Sequence, residues 1–392
     1  MDLRKLFLTL FFVISICFSH VYKIPSSDDV NAFYVDNGSA YNVLVVCSIH
    51  GNEPLGSRVI GKILSDKVDL LPSNLNYCII LEPSKYRIQR NRRTNFEGFD
   101  PNRTFINLFS NSAKFIVSMI NKYDPILLLD IHQAKRENID FMYSFGSFCR
   151  TMGSIYRQDE VFGISRDTIY TSDYYVLSDL QKDLENKSIE LFKEKVPKVE
   201  KYTALNREDS YDSISVLRNF AASKGVFSVL FEIPYYKGND KNLEIVFLDY
   251  LSFVSKEKEN FKKYKDLAKK IQERYFKSRF FLIPTNFENF NTSFFTTFGI
   301  NYYKTKIENK VVLGFDIQKI SIISKDEFKN FLYLDIDVKV NSVRFDQEDF
   351  YLIKADVLSS FVFNPIYRES VWNFFAIPFS IKFVPVYIYE QE

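Results

Sequence analysis

Histidine is scarce in this chain of 392 residues, which carries only His20, His50 and His132. His50 stands in Ser48-Ile49-His50-Gly51-Asn52-Glu53, directly after an apolar run that reads as a buried strand. An imidazole and a carboxylate three residues apart at a strand-to-helix turn can converge on one ion, and Gly51 permits the tight backbone path. His132 closes a second apolar run, in Leu129-Asp130-Ile131-His132. Open α/β sheets place their ligand sites at the carboxyl ends of strands, where both motifs fall. Two imidazoles and one carboxylate leave a fourth zinc position open, the arrangement of a catalytic rather than a structural site. His-x-x-Glu by itself is equally the pattern of a capping or surface pair, so it needs support from elsewhere.

That support lies between the two histidine motifs, in Arg93-Thr94-Asn95-Phe96-Glu97-Gly98-Phe99-Asp100-Pro101-Asn102-Arg103. Here the sequence resembles the zinc metallocarboxypeptidase family. Bacterial members share Arg-x-Asn-x-x-Gly-x-Asp-x-Asn-Arg between a His-Gly-Asn/Asp-Glu site and a later third ligand. The resemblance runs from Asn42 to Glu232. It implies that His50, Glu53 and His132 bind one zinc ion per chain, with Asp100 fixing the His50 ring as metal-bound imidazoles require. It implies that Arg93, Asn102 and Arg103 hold the substrate's terminal carboxylate and polarise the scissile carbonyl. A guanidinium fork matches a carboxylate, and a cation beside the carbonyl oxygen stabilises developing negative charge. The family takes its general base from a Glu at the end of a late strand, and the apolar run Phe227 to Phe231 ends in Glu232. A lone carboxylate there is costly to bury, so Glu232 is expected to be the base that activates water at the zinc; a structural ion pair is its other reading. Tyr211 sits at about the place where other members carry a mobile tyrosine.

The chain departs from the pattern at Pro101, where an aliphatic residue is usual, and at Gln133, where Ser or Thr is usual. The segment before His132 is short, so specificity loops are expected from Gln133 to Asn206. An exported member with an added C-terminal β module also resembles the peptidoglycan-trimming carboxypeptidases that help shape curved and helical bacteria. Arg90, Asn91 and Arg93 carry that likeness. Some of those enzymes have Gln at the first metal position, where this chain has His50. The implied reaction is removal of the terminal diamino acid from muramyl tripeptides, leaving dipeptides. Two other readings stand beside it: an N-acyl amino acid deacylase of the aspartoacylase and succinylglutamate desuccinylase type, and a non-catalytic wall-binding protein with a relict site.

The elements that must position these residues are legible as alternating patterns. Asn42 to Ser48, Leu75 to Leu81, Ile126 to Ile131 and Phe227 to Phe231 are continuous apolar runs, as expected of buried strands. Helical patterns over Glu53 to Leu64, Ser112 to Lys122, Val176 to Lys195 and Ser213 to Lys224 separate them. A longer helix is expected from Leu243 to Tyr275, with a solvated Lys/Glu-rich second half. The alternation predicts an α/β mixed sheet with helices on both faces. Past Ser278 short alternating segments such as Tyr333 to Val340 and Ser380 to Tyr389 predict an antiparallel β module, one or two small domains over residues 279–392.

Arg4 and Lys5 precede the apolar run Leu6 to Phe18, with small residues at Cys17 and Ser19. That layout predicts a signal peptide over residues 1–19, cleaved after Ser19, and hence a periplasmic or secreted protein without a stable membrane span; lipidation of Cys17 and a retained anchor are the alternatives. The remaining cysteines, Cys47, Cys78 and Cys149, are odd in number and form neither a disulfide framework nor a zinc-site spacing. A net charge of +2 without a basic cluster gives no electrostatic case for nucleic acid, and the resemblance implies a peptide or muropeptide as the partner.

Overall fold

The computed structural model describes residues 20–26, 29–84, 91–94, 100–105, 108, 110–136, 138–161, 168–202, 214, 216–235, 239–286, 295, 300–326, 331–357, 359–360 and 387–390. The expected signal peptide, Arg90, Tyr211 and most of Ser380 to Tyr389 lie outside the described residues.

One eight-stranded sheet organises the first two thirds of the chain. β1 (His20–Lys23) and β2 (Asn31–Asp36) lead antiparallel into it, and β3 (Asn42–Cys47) and β4 (Asn76–Glu82) pair in parallel. β5 (Leu127–Ala134) pairs with β3 on its other side, and β8 (Phe227–Pro234) pairs with β5, both parallel. β6 (Phe141–Phe145) and β7 (Val199–Lys201) complete the order β1-β2-β4-β3-β5-β8-β6-β7. The central strands are buried at almost every position, which is why they read as unbroken apolar runs. From β3 the chain turns to β4 on one side and later to β5 on the other. That reversal opens a crevice at the carboxyl ends of β3 and β5.

Six helices cover the sheet among the described residues: α1 (Leu55–Asp66), α2 (Asn111–Tyr123), α3 (Phe148–Val161), α4 (Ser172–Lys195), α5 (Leu217–Ser223) and α6 (Asn239–Tyr275). α6 packs on α1 and α4, whereas α5 packs on α3 and against β5 and β8. The second half of α6 is not simply solvated. Phe261, Tyr264, Ala268 and Ile271 continue its buried stripe at helical spacing, and its lysines occupy the other face. The segment Gln133 to Asn206 is also more regular than expected, since it holds β6, α3, α4 and β7. α4 starts at Ser172, earlier than the apolar pattern indicates, because the Thr171 hydroxyl accepts from the Tyr174 N–H and caps it.

Beyond α6 the described strands form one closed antiparallel barrel in the order β10-β11-β9-β12, with β9 (Arg279–Pro284), β10 (Tyr302–Asp326), β11 (Phe331–Lys354) and β12 (Tyr387–Glu390). At the junction Tyr275 donates to Asp159 at 2.6 Å, and Arg279 stands 3.6 Å from the same carboxylate. α3, α6 and β9 therefore meet on one buried acid.

Gly146, between β6 and α3, packs closely against both α5 and β8. A Cβ there would lie 2.3 Å from Ser228 Oγ and 2.6 Å from the Arg218 carbonyl oxygen. Gly146→Ala is expected to destabilise the fold by about 1–3 kcal/mol through overpacking. Denaturant unfolding checks it, and an unchanged midpoint would show that this contact yields freely.

Candidate metal centre and cleft

The turn after β3 places the first two chemical groups. Ser48 adopts a left-handed conformation (φ 49°), and its hydroxyl donates to the Glu53 carbonyl at 2.9 Å. Gly56 lets the start of α1 settle on the sheet: a Cβ there would meet Ile131 Cγ2 at 3.1 Å and Cys47 Cβ at 3.2 Å. Glu53 is thereby held over the ends of β3 and β5, where His50 and His132 converge. His50 Nδ1 lies 2.9 Å from Glu53 Oε1, and His132 Nδ1 lies 2.8 Å from Glu53 Oε2. The three residues offer ligand atoms within 4.8 Å of one another and are the one such group among the described residues.

Each imidazole is held from behind. His50 Nε2 donates to Asp100 Oδ1 at 2.9 Å, and His132 Nε2 donates to Asp130 Oδ1 at 2.9 Å. Both Nδ1 atoms are thus turned towards the common point, as in metal sites whose imidazoles are oriented by carboxylates. The set of two imidazole nitrogens and one carboxylate oxygen, open to the cleft on its remaining side, fits zinc. Asp100 also accepts from Arg93 Nε at 3.0 Å and from the Asn102 N–H at 2.9 Å, which fixes the turn Pro101–Arg103 beside His50.

Charges in this cluster are strongly coupled. Burial opposes ionisation of Glu53, but His50 and His132 outweigh it and hold the carboxyl below its ordinary range. Burial likewise disfavours charge on His132, yet Asp130 and Glu53 raise its pKa well above the ordinary value. For Asp100, burial is overcome by His50 and Arg93, and the carboxyl stays ionised.

Glu232 behaves differently. It is the direct register partner of His132 across β5 and β8, so both side chains face the same side of the sheet. It is 6% exposed, and its carboxyl is pushed up to about 8, by burial first and by the charges of Glu53 and Asp130, with His132 pulling the other way.

These groups line a cleft of about 400 Å³ together with Asn102, Arg103, Lys135, Tyr202, Val216, Arg218 and Leu230. Of the site residues expected from the sequence, His50, Glu53, Arg93, Asn102, Arg103, His132 and Glu232 line this cleft, and Asp100 lies behind His50. Two are more heavily engaged than a substrate clamp implies. Arg93 also donates from Nη1 to Glu53 Oε1 at 3.2 Å, which puts its guanidinium at the metal cluster itself. Asn102 accepts from the Leu217 N–H at 2.8 Å, tying the turn to the first residue of α5. Arg103 is 4% exposed and donates to the Asn102 carbonyl at 2.9 Å.

Sequence reasoning assigned no role to Asp130, Gln133 or Arg218. The signal for Asp130 was present, since residues two apart on a strand share a face, so Asp130-x-His132 aims both groups at one side. Gln133 accepts from the Leu55 N–H at 2.9 Å and donates its own N–H to Glu53 Oε2 at 3.2 Å, contacts no local pattern reveals.

Fold and donor set define an α/β protein with a candidate zinc centre at the switch point of a mixed sheet. No protein-family model matches the chain, and no curated protein matches it. Among solved structures it is similar to a metallo-carboxypeptidase from Pseudomonas aeruginosa, with 15% identity and a TM-score of 0.46 over 64% of this chain and 68% of that one. It is similar to a metallo-carboxypeptidase from Burkholderia cenocepacia, with 12% identity and a TM-score of 0.43 over 64% and 68% of the two chains. It is also similar to a succinylglutamate desuccinylase/aspartoacylase from Rhodobacter sphaeroides, with 15% identity and a TM-score of 0.37 over 59% and 63%. Likeness of this order concerns fold, and function is read from the cleft's own side chains.

Removing either imidazole, in His50→Ala or His132→Ala, is expected to abolish stoichiometric zinc in the purified protein, as measured by elemental analysis. Asp130→Asn is expected to keep the site but weaken zinc by roughly 10- to 100-fold. Full zinc retention in both histidine variants would end the metal reading.

A second expectation concerns the metal-free protein. A carboxyl whose folded pKa lies above its unfolded one stabilises the fold below the unfolded value, and that contribution is lost as pH rises through the folded value. For Glu232 the window runs from its ordinary 4.5 to about 8. Thermal melts of Glu232→Gln across that range are expected to lose less stability with rising pH than the parent chain. Identical slopes would show that Glu232 ionises as freely folded as unfolded.

Proposed function

We propose that the protein is an exported zinc carboxypeptidase that removes the terminal diamino acid from peptidoglycan tripeptides and leaves dipeptides. The observation that carries the hydrolase reading is Glu232, a buried carboxyl in register with His132 across β5 and β8 and facing a cleft rich in cations. A carboxyl so placed can accept a proton at one stage of a reaction and return it at the next.

Zinc held by His50, Glu53 and His132 would supply Lewis acidity at the substrate's carbonyl oxygen and make water a stronger acid. Arg103 binds the peptide's terminal carboxylate. Arg93, already at the cluster, donates to the carbonyl oxygen as negative charge develops on it, a stabilisation that acts mainly in the transition state. Glu232 takes the proton of the attacking water on a carboxylate oxygen and passes it to the departing amine nitrogen. Asp100 and Asp130 keep the two imidazoles oriented throughout.

The wall substrate is supported by the leader-like N-terminus, with Arg4 and Lys5 ahead of Leu6 to Phe18. Among the described residues no helix is long and apolar enough to cross a membrane. An exported carboxypeptidase meets stem peptides that end in free carboxylates and carry further acids along their length, which suits an arginine-rich cleft.

Mass spectrometry of peptidoglycan digests is expected to show muramyl tripeptide converted to dipeptide by the zinc-loaded protein. Glu232→Gln should keep zinc and lose roughly 10²- to 10⁴-fold in turnover. Amidating the C-terminus of a peptide should suppress its cleavage. Unchanged muropeptides alongside trimmed ordinary peptides would overturn the wall assignment. Equal cleavage of free and amidated peptides would overturn carboxypeptidase action, and cleavage of N-acyl amino acids alone would make the protein a deacylase.

A further inference from the structure

Gln133 directly follows His132 on β5 and touches Glu53 and the start of α1 at once. We infer, on the zinc reading of the site, that Gln133 is a positioning residue of the metal centre: its side chain caps α1 and its backbone N–H holds the Glu53 carboxylate, so that one residue sets Glu53 against His132.

The start of α1 needs a partner from outside. The first turn of a helix leaves N–H groups without intrahelical acceptors, and a side chain at the cap residue normally takes one of them. α1 has Pro54 at that place, which makes no side-chain cap bond, and its first turn carries no acid. The acceptor comes instead from β5, where Gln133 Oε1 takes the Leu55 N–H at 2.9 Å. Leu55 is 3% exposed, so water is a poor substitute. Only Pro54 separates Leu55 from Glu53, and its ring restricts φ, here −82°. Pinning the Leu55 N–H therefore pins the backbone of Glu53.

The main chain of Gln133 acts on the other end of the same residue. β5 pairs with β3 only as far as Ile131 opposite Cys47, whereas its pairing with β8 continues to Ala134. On the β3 side the Gln133 N–H lies beyond the ladder, and it donates to Glu53 Oε2 at 3.2 Å. His132 Nδ1 meets the same oxygen at 2.8 Å. The bonds at the Glu53 backbone stay within the turn after β3: its N–H donates to the His50 carbonyl, and its carbonyl accepts from the Ser48 hydroxyl. They fix Glu53 to His50 but not to His132. Gln133 makes the crossing to β5 twice, once at the base of Glu53 and once at its carboxylate.

Zinc takes nitrogen and oxygen donors at about 2.0–2.2 Å, so misalignment of Glu53 and His132 by half an ångström already weakens the site. Groups that orient donors in this way are commonly worth 10- to 100-fold in metal affinity. Gln133 itself is half-buried and lines the cleft, where its side chain can be exchanged without opening the core.

The test uses the full-length protein. Gln133→Met keeps the bulk and removes the acceptor, Gln133→Thr leaves an oxygen too short to reach Leu55, and Gln133→Glu keeps an acceptor of equal reach. Competition against a chromophoric chelator is expected to show zinc weakened by roughly 10-fold or more in Gln133→Met and Gln133→Thr, and held close to the parent in Gln133→Glu. With cobalt in place of zinc, the visible bands report donor geometry. They should shift in Gln133→Met and Gln133→Thr and match the parent in Gln133→Glu. A merely structural cap would lower the melting temperature and leave those bands where they are, and that result overturns the inference. Parental zinc affinity in Gln133→Met and Gln133→Thr, or equal loss in all three variants, overturns it too. Should the parent take up neither zinc nor cobalt, the metal reading fails, and crystal structures of the metal-free proteins decide the role of Gln133. Glu53 Oε2 parted from His132 Nδ1 in Gln133→Met and Gln133→Thr, with the contact kept in Gln133→Glu, sustains it, and a contact kept throughout overturns it.

Discussion

A carboxylate that is only 5% exposed and touches two imidazoles and a guanidinium is tenable only if every neighbour is itself compensated. Glu53 imposes that condition on the cleft. His50 and His132 can share it because Asp100 and Asp130 neutralise their far sides. Arg93 can approach because Asp100 takes its other edge. Asp100 in turn serves His50, Arg93 and the backbone of Asn102 at once. The cluster therefore works as one electrostatic unit, and the effects of changing its members are not expected to add.

The sheet supplies what such a unit needs, which is rigid placement from several directions. His50 arrives from a left-handed turn beyond β3, His132 from the end of β5, and Glu232 from the matching position of β8. Parallel strands in register bring the last two together without any loop having to find its place. The arginines come from the turn before α2 and from α5, so the guanidinium groups of the cleft are anchored apart from the metal donors. Of the described residues before α2, Arg93 is tied to Glu53, Asp100 to His50 and Asn102 to α5.

Much of this was legible before any coordinates. Continuous apolar runs identify β3, β4, β5 and β8, because strands buried on both faces have no polar side to betray their period. The metal donors stand out because histidine is rare and both candidates follow those runs. The strands β6 and β7 were not legible, since five and three residues are too few to show a period, and β6 ends among Ser and Gly. The start of α5 was set four residues early, because the apolar pattern continues through Val216 while the helix begins at Leu217, where Asn102 accepts the first N–H. Arg218 was invisible for a related reason. Its neighbours in the cleft are distant in sequence, and nothing local distinguishes it from an ordinary helix-surface arginine.

Asn102 holds α5 through a backbone N–H rather than through a side chain. That detail bears on how such a cleft can diverge. Any residue other than proline at position 217 preserves the bond, so the side chains that α5 presents to the cleft can be exchanged while the turn, His50 and the metal donors keep their positions. Mutation can then explore new ligands without first losing the chemistry, and the wall of the cleft is free to drift faster than its floor.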